Sequence, residues 1–259
     1  MQYRIVLRAS FGAGEKLAVV YLLHGGSGNF RDWTHYSDVA RFAERGLILV
    51  MPEGDDSYYT NSAGKPQDRY EDYIVKDLIA DVEGRFPASD GSGRAIVGVS
   101  MGGFGAVKLA LQHPAMFSFA AGISSALDVP SRPFSIKRPL QWRFHRSIFG
   151  PWGGQTQHDN DPFVLVGAAD PKQVPYFFLT CGEQEGLLPA NRQFAKLLEQ
   201  RHFRYDFQPG PGGHNWNQWN KLLVNVFERL SNYLVIEQVV SVIANEVQDL
   251  RTTSVVSRF

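Results

Sequence analysis

The stretch that decides the fold is residues 95–103, with the sequence AIVGVSMGG. Its first five residues form a short apolar run, and Ser100 then stands in the pattern Gly-x-Ser-x-Gly ahead of a helix-like stretch, 103–112. Small residues around a serine between a strand and a helix predict a tight, strained turn that projects the hydroxyl above a sheet. The helix N-terminus behind the serine favours developing negative charge. The sequence therefore predicts a nucleophile at Ser100.

Short apolar runs of the same kind recur along the chain and alternate with stretches of helical spacing. The apolar runs are 17–23, 47–51, 95–99, 119–123 and 176–180, and the helical stretches are 72–86, 103–112, 190–201 and 222–234. Strands this apolar are typical of parallel sheets, whose two faces are both covered. The alternation predicts a single α/β domain with a mostly parallel central sheet and helices on both faces, and residues 1–10 predict one more strand.

Composition excludes several classes of protein. Lys+Arg and Asp+Glu number 26 each, so the formal net charge is zero and no net field attracts nucleic acid or anionic lipid. The single cysteine, Cys181, excludes an intrachain disulfide and a cysteine-based zinc cluster. Acidic residues at 159 and 161 are better explained by a turn before Pro162 than by a metal site. We therefore expect no metal and no nucleic-acid partner.

The chain also lacks the sequence features of membrane insertion. No stretch approaches the roughly 18 uninterrupted apolar residues of a membrane-spanning helix. Residues 1–10, MQYRIVLRAS, carry two arginines and no apolar run of the kind found in a signal peptide. We expect a soluble, cytoplasmic protein with no membrane partner, unless a leader has been removed.

One segment, residues 127–162, breaks the α/β alternation. It contains five prolines and interleaves basic residues with aromatic ones, among them Trp142 and Phe144. A long irregular insertion in a compact domain is usually a lid or binding loop, so we expect Trp142 and Phe144 to line a substrate pocket. An irregular surface excursion with a solvated basic face is the alternative. Single-stranded nucleic acid binds similar compositions, but the neutral net charge disfavours it.

A nucleophilic serine that attacks a carbonyl needs two backbone amides to hold the oxyanion. Met101, the residue after the serine, supplies the first amide. Residues 24–26, His-Gly-Gly, follow an apolar strand and have the form of the second loop, so we assign Gly26 as its donor. We expect His24 to fix this loop rather than to carry a proton.

The predicted base is His214. It lies in residues 209–216, PGPGGHNW, a glycine-rich turn after the strand-like 205–208 and before the last large helix. Triads built on a strand-turn-helix elbow follow the chain order serine, acid, histidine, which selects a histidine near the C-terminus. We expect Trp216, two residues further on, to line the pocket.

The acid should follow a strand end between the serine and the histidine. Glu183 and Glu185 come directly after the run 176–180, and Asp170 and Asp206 are more distant alternatives. Either glutamate could orient an imidazole, and spacing alone does not choose between them.

Several motifs together resemble the putative-esterase family of alpha/beta hydrolases. They are residues 22–29 (LLHGGSGN), 51–54 (MPEG), 98–105 (GVSMGGFG), 160–163 (NDPF) and 213–216 (GHNW). The family includes tributyrin esterases, feruloyl esterases, esterase D or S-formylglutathione hydrolases, and the antigen 85 mycolyltransferases. The resemblance runs from about Tyr3 to Leu234 and implies the alpha/beta-hydrolase fold.

This resemblance implies a serine carboxylic-ester hydrolase that acts on short-chain acyl or aryl esters and needs no cofactor. The family's acid ends a Cys-Gly-x-x-Asp-like stretch, matched here by residues 181–185, CGEQE, which favours Glu185 over Glu183. The alternatives are an S-formylglutathione hydrolase-like thioesterase, an acyltransferase, and a catalytically silent binding protein on the same fold.

Three departures from the family pattern limit what is carried over. The acid is Glu where many relatives have Asp, and the N-terminus is short. Beyond a hydrolase domain at 1–235, residues 236–259 add a C-terminal helical extension and tail with an apolar stripe. The stripe predicts either association into a homo-oligomer or packing on its own domain.

Overall fold

The computed structural model describes residues 1–10, 12, 14–89 and 93–234. Within them, one sheet of seven strands has the order β1-β3-β2-β4-β5-β6-β7. The strands are β1 (Tyr3–Val6), β2 (Ala18–Leu23), β3 (Leu47–Pro52), β4 (Arg94–Val99), β5 (Phe119–Ile123), β6 (Tyr176–Thr180) and β7 (Tyr205–Phe207). β1 is antiparallel to β3, and every other neighbouring pair is parallel. This confirms the predicted α/β architecture.

Both faces of the sheet are covered by helices. The helical elements are α1 (Asp32–Tyr36), a 3-10 helix (Val39–Arg45), α2 (Tyr70–Asp72), a π-helical segment (Tyr73–Leu78), α3 (Ile79–Arg85), α4 (Met101–Gln112), α5 (Pro139–Phe149), α6 (Gln155–Asp159), α7 (Pro162–Ala168), α8 (Leu188–Gln200) and α9 (Trp216–Leu230). All six residues of β2 are buried, because alternate side chains enter two different core clusters.

Segment 127–162 differs from the irregular structure expected of it, since it contains α5 and α6. Pro139 stands in the first turn of α5, where a missing N–H costs nothing. One side of the helix is buried through Ile148 and Phe149, which pack with Phe104 of α4 in a small third cluster. The segment is therefore docked on the helix that follows Ser100.

The C-terminal extension predicted at 236–259 lies outside the described residues. In the part of the chain that is described, no helix combines the length and the apolar character needed to cross a bilayer.

A buried lysine joins α4 to its surroundings. Lys108 has no exposed surface, and its ammonium donates to Tyr59 O (2.8 Å), Glu71 Oε2 (2.8 Å), Asn160 Oδ1 (3.1 Å) and Thr60 Oγ1 (3.3 Å). A buried charge is tolerated only when it is paired and hydrogen-bonded, and all of these partners are oxygen acceptors. The network ties the Ser100 helix to the loop after β3 and to the end of segment 127–162.

The acid of this network makes stability depend on pH. Burial by itself would raise the pKa of Glu71, but the charge of Lys108 and the hydrogen bonds from His113 and Lys108 outweigh it and lower the pKa to about 2. A carboxyl whose folded pKa is depressed stabilises the fold above its unfolded pKa, and this contribution disappears as pH falls toward the folded value.

Glu71→Gln is expected to lower the free energy of unfolding by about 3 kcal/mol at neutral pH, because it leaves the Lys108 ammonium buried without a counter-charge. The gap between wild type and variant should narrow as pH falls below about 4.5, which urea titrations at several pH values measure. Asp77→Asn, an exposed carboxylate on the π-helical segment that follows α2, is the control and should change stability by less than about 0.5 kcal/mol. A gap that stays constant with pH would contradict the assignment.

Candidate active site

Ser100 occupies a strained turn between β4 and α4. Its φ of 55° and ψ of −112° lie in a region that non-glycine residues rarely adopt. The surrounding backbone holds this conformation: the Ser100 amide donates to Ile123 O (2.8 Å), and the Ser100 carbonyl accepts from the amides of Phe104 and Ala126 (both 3.1 Å). The side chain is thereby fixed at the carboxyl edge of the sheet.

The two glycines of the Gly-x-Ser-x-Gly pattern are required by close backbone packing. A Cβ on Gly98 would lie 2.1 Å from the backbone of Gly102. A Cβ on Gly102 would lie 2.2 Å from the carbonyl oxygen of Leu23 and 2.6 Å from that of His24. The first turn of α4 can therefore contact the end of β2 only because position 102 has no side chain.

His214, on the loop between β7 and α9, lies between Ser100 and Glu185. Its Nε2 is 2.9 Å from Ser100 Oγ, and its Nδ1 is 2.7 Å from Glu185 Oε2. An ionised carboxylate can only accept a hydrogen bond, so Nδ1 carries the proton and Nε2 is left to accept from the serine hydroxyl. The arrangement can remove a proton from Ser100.

Glu185 is the carboxylate that reaches His214. Its side chain is fully buried, and Oε1 accepts hydrogen bonds from Ser124 Oγ (2.6 Å) and the Gly182 amide (3.0 Å). Burial would raise the pKa of this carboxyl, but the hydrogen bonds from His214, Ser124 and Gly182 outweigh it and leave the pKa below its ordinary value. Glu185 is therefore ionised at neutral pH.

The other carboxylates considered from the sequence lie elsewhere. Glu183 is exposed, Asp170 accepts from the Lys172 amide, and Asp206 forms an ion pair with Arg229. Within the described residues, only Glu185 of these four contacts His214.

Two residues that support this arrangement, Ser124 and Trp219, were not identified from the sequence. Trp219 Nε1 donates to Ser124 Oγ (3.1 Å), which in turn donates to Glu185. The Trp219 ring also meets the His214 imidazole edge to face, at 4.9 Å between centroids and 90° between planes. In the sequence, the only signal for Ser124 is its position directly after the apolar run 119–123. Trp219 lies about one helical turn after Trp216, and the sequence alone does not show which of the two contacts His214.

Trp216 packs in an aromatic cluster rather than beside His214. Its ring lies 5.3 Å from Trp33, 5.6 Å from Tyr36 and 5.1 Å from Trp219. The tryptophan that contacts His214 is Trp219, because the first turn of α9 directs positions 216 and 219 against different neighbours.

The loop after β2 lies beside Ser100. A Cβ built on Gly25 would be 3.5 Å from the Cβ of Ser100, so the backbone of Gly25 passes close to Ser100. His24 is fully buried; its Nδ1 donates to Gly25 O (2.8 Å), and its Nε2 accepts from the Gly54 amide (2.9 Å). His24 thus fixes the loop, as expected. Met101 is the first residue of α4, where amides lack a partner within the helix.

Cys181, the residue that follows β6, is a buried free cysteine. Burial raises the pKa of the Cys181 thiol to about 12, so it stays protonated and packs as a small apolar group. Across the residues that the structure describes, His, Cys, Asp and Glu side chains form no group of three or more that could hold a metal ion.

Comparison with known proteins identifies the family. Residues 1–230 match the family model described as Putative esterase. The chain belongs to this esterase family. It is 27% identical over 225 residues to an acetyl esterase of Caldicellulosiruptor saccharolyticus, with 84% of each chain covered.

Solved structures agree with this result. The substrate-bound structure of FphF, a fluorophosphonate-binding serine hydrolase of Staphylococcus aureus, is similar with a TM-score of 0.74 and 25% identity, and the match covers 87% of this chain and 90% of that one. The structure of an S-formylglutathione hydrolase of the same organism is similar with a TM-score of 0.72 and 24% identity, and the match covers 87% of this chain and 91% of that one. At this identity the likeness shows the fold alone. The esterase is thus a carboxylesterase-type hydrolase with the alpha/beta-hydrolase fold.

One cleft of the esterase is lined by His214 and Glu185, and a second lies at the loop that follows β2. The His214 cleft has a volume of about 630 Å³ and is lined by Arg132, Arg138, Trp142, Glu185 and His214, among others. The Gly28 cleft, of about 410 Å³, is lined by Gly28, Asp55, Asp56, Asp68 and Phe144, among others. The structure therefore places Trp142 in the same cleft as His214 and Phe144, which is 42% exposed, in the other cleft.

Gly102→Ala is expected to destabilise the esterase by about 3 kcal/mol, because the new methyl group must displace the carbonyls of Leu23 and His24. Ester hydrolysis should fall as well, since the same shift moves Ser100. Gly84→Ala is the matched control: a Cβ there meets nothing within 4 Å, and the change should stabilise α3 by roughly 0.5 to 1 kcal/mol. Urea unfolding of both variants tests the pair, and equal stabilities would contradict the packing argument.

Proposed function

We propose that the esterase hydrolyses short-chain acyl or aryl carboxylic esters with a triad of Ser100, His214 and Glu185. The observation that carries this proposal is the continuous chain of hydrogen bonds from Ser100 Oγ through both His214 nitrogens to Glu185, at 2.9 and 2.7 Å. These distances lie within the reach required of a nucleophile, its base and the group that orients the base.

In the first step, Ser100 Oγ attacks the ester carbonyl while His214 Nε2 takes its proton. The imidazole becomes positively charged, and the buried, ionised Glu185 stabilises that charge through Nδ1–H. Ser124, Trp219 and the Gly182 amide hold the carboxylate in place, so little reorganisation is needed as charge develops.

The carbonyl oxygen becomes negatively charged in the same step. We assign the amides of Gly26 and Met101 as its donors, supported by the close approach of the Gly25 backbone to Ser100 and by the position of Met101 at the start of α4. The N-terminal end of that helix adds a favourable electrostatic contribution.

Collapse of the intermediate breaks the bond to the leaving oxygen, which takes the proton from His214 and departs as the alcohol. Water then enters, His214 removes one of its protons, and attack on the acyl-Ser100 carbonyl releases the acid and restores the serine. The chemistry requires no cofactor. A short acyl group is supported by the relative named acetyl esterase, and Trp142 supplies an aromatic wall on the His214 side.

Ser100→Ala is expected to lower kcat/KM for para-nitrophenyl acetate and butyrate by roughly 10⁴-fold or more, because the nucleophile is lost. A fluorophosphonate probe should label wild type at Ser100 and leave the variant unlabelled, as intact-mass measurement detects. Undiminished turnover by the variant would disprove the triad assignment.

Glu185→Gln is expected to lower kcat/KM by about 10³- to 10⁴-fold, since a neutral amide no longer stabilises the imidazolium or fixes its tautomer. Glu183→Gln, two residues away and exposed, is the matched control and should stay within about twofold of wild type. A larger loss at position 183 would move the role of the acid to that residue.

A further inference from the structure

The two clefts differ in the charged groups that line them. Three carboxylates line the Gly28 cleft, those of Asp55, Asp56 and Asp68, against one ammonium, that of Lys65. In the His214 cleft the cationic residues are guanidinium groups contributed by segment 127–162. The Gly28 cleft therefore has an excess of negative charge.

The carboxylates of the His214 cleft are not available to a ligand, because Asp128 is paired with Arg132 and the Glu185 side chain is fully buried. Asp128 accepts two hydrogen bonds from Arg132, at 2.6 and 3.0 Å, and Glu185 is engaged by His214. Arg138, by contrast, is exposed and has no ion-pair partner in the described part of the chain. The charge left for a ligand in this cleft is the guanidinium of Arg138.

The sequence of segment 127–162 is itself rich in basic residues. Between Asp128 and Asp159 the chain contains five basic residues and no Asp or Glu. His145, which also lines the cleft, responds to the same field: burial first, and then the charges of Arg132 and Arg146, lower its pKa to about 4. The imidazole is therefore neutral at pH 7, and the cationic character of the wall comes from its arginines.

The reaction geometry decides which arm of the ester meets this wall. His214 Nε2 returns its proton to the leaving oxygen, so the leaving alcohol must lie on the His214 side of Ser100. The cleft that continues from His214 is the one lined by Arg138 and Trp142.

We propose that the His214 cleft binds an anionic group, in the simplest case a carboxylate, on the leaving-alcohol arm of the ester, with Arg138 as its charged partner. The substrate class is thus esters of carboxylated alcohols or phenols. This inference rests on the proposed function, because it uses the role of His214 to orient the substrate. A guanidinium fits the two oxygens of a carboxylate, and the ring of Trp142 offers an apolar face to the linking atoms.

The test uses two phenyl acetates that differ in one group: one carries a para-propanoate chain, and the other carries the corresponding propanamide. Wild type should hydrolyse the carboxylate with a kcat/KM about three- to tenfold above that of the amide, the range of a partly exposed charged hydrogen bond. The ratio should fall toward unity in about 1 M salt, where the Debye length is about 3 Å.

Arg138→Gln should bring the ratio of the two kcat/KM values close to unity. Arg143→Gln removes the same charge from α5, outside the cleft lining, and should leave most of the preference. A second pair moves the charge to the acyl arm: the para-nitrophenyl half-ester of adipic acid and its amide counterpart should show no preference for the carboxylate.

A wild-type ratio of unity or below would overturn the proposal, as would equal effects of the two arginine variants or a carboxylate preference confined to the acyl arm. Hydrolysis of the amide ester by wild type, together with loss of that hydrolysis in Ser100→Ala, shows in the same assays that the proposed function stands independently. If neither phenyl acetate is hydrolysed, the proposed function itself fails and the substrate proposal fails with it.

Discussion

The contact on which the site depends is the packing of Gly102 against the last carbonyls of β2. Because this approach involves backbone alone, it fixes two features at once: the turn that holds Ser100, and the loop of Gly25 and Gly26 that continues from the strand. A side chain at position 102 would separate the nucleophile from that loop. The strained φ of Ser100 is maintained by this packing and by hydrogen bonds from the neighbouring strand end.

The parallel order of β4, β5 and β6 explains how distant residues meet. Their carboxyl ends share one edge of the sheet, so Ser100, Ser124 and the loop to Glu185 emerge side by side. The acid and histidine loops are also bonded to each other, since the amides of Glu183 and Gln184 donate to the carbonyls of Gly210 and Gly212. These backbone bonds set the distance between Glu185 and His214 independently of the side chains.

Sequence predicted the central strands to within one residue, because a run buried on both faces has an unmistakable composition; 119–123 and 176–180 are examples. The first residues of the helices were harder to predict from the sequence. α9 begins at Trp216, since the Asn215 side chain caps it, and apolar periodicity does not detect a cap. Spacing could not choose between Glu183 and Glu185, because tertiary hydrogen bonds to the histidine loop direct that turn.

The formal net charge of zero does not show how charged side chains are distributed between the two clefts, and that distribution affects substrate binding. A neutral protein exerts little long-range attraction, and beyond a Debye length of about 8 Å in physiological salt the charges of the two clefts are screened. A substrate group in direct contact with a charged side chain lies well within this length, so the charges act on a substrate that has already arrived. Under the proposed function, such charges orient the substrate on Ser100 without raising the encounter rate.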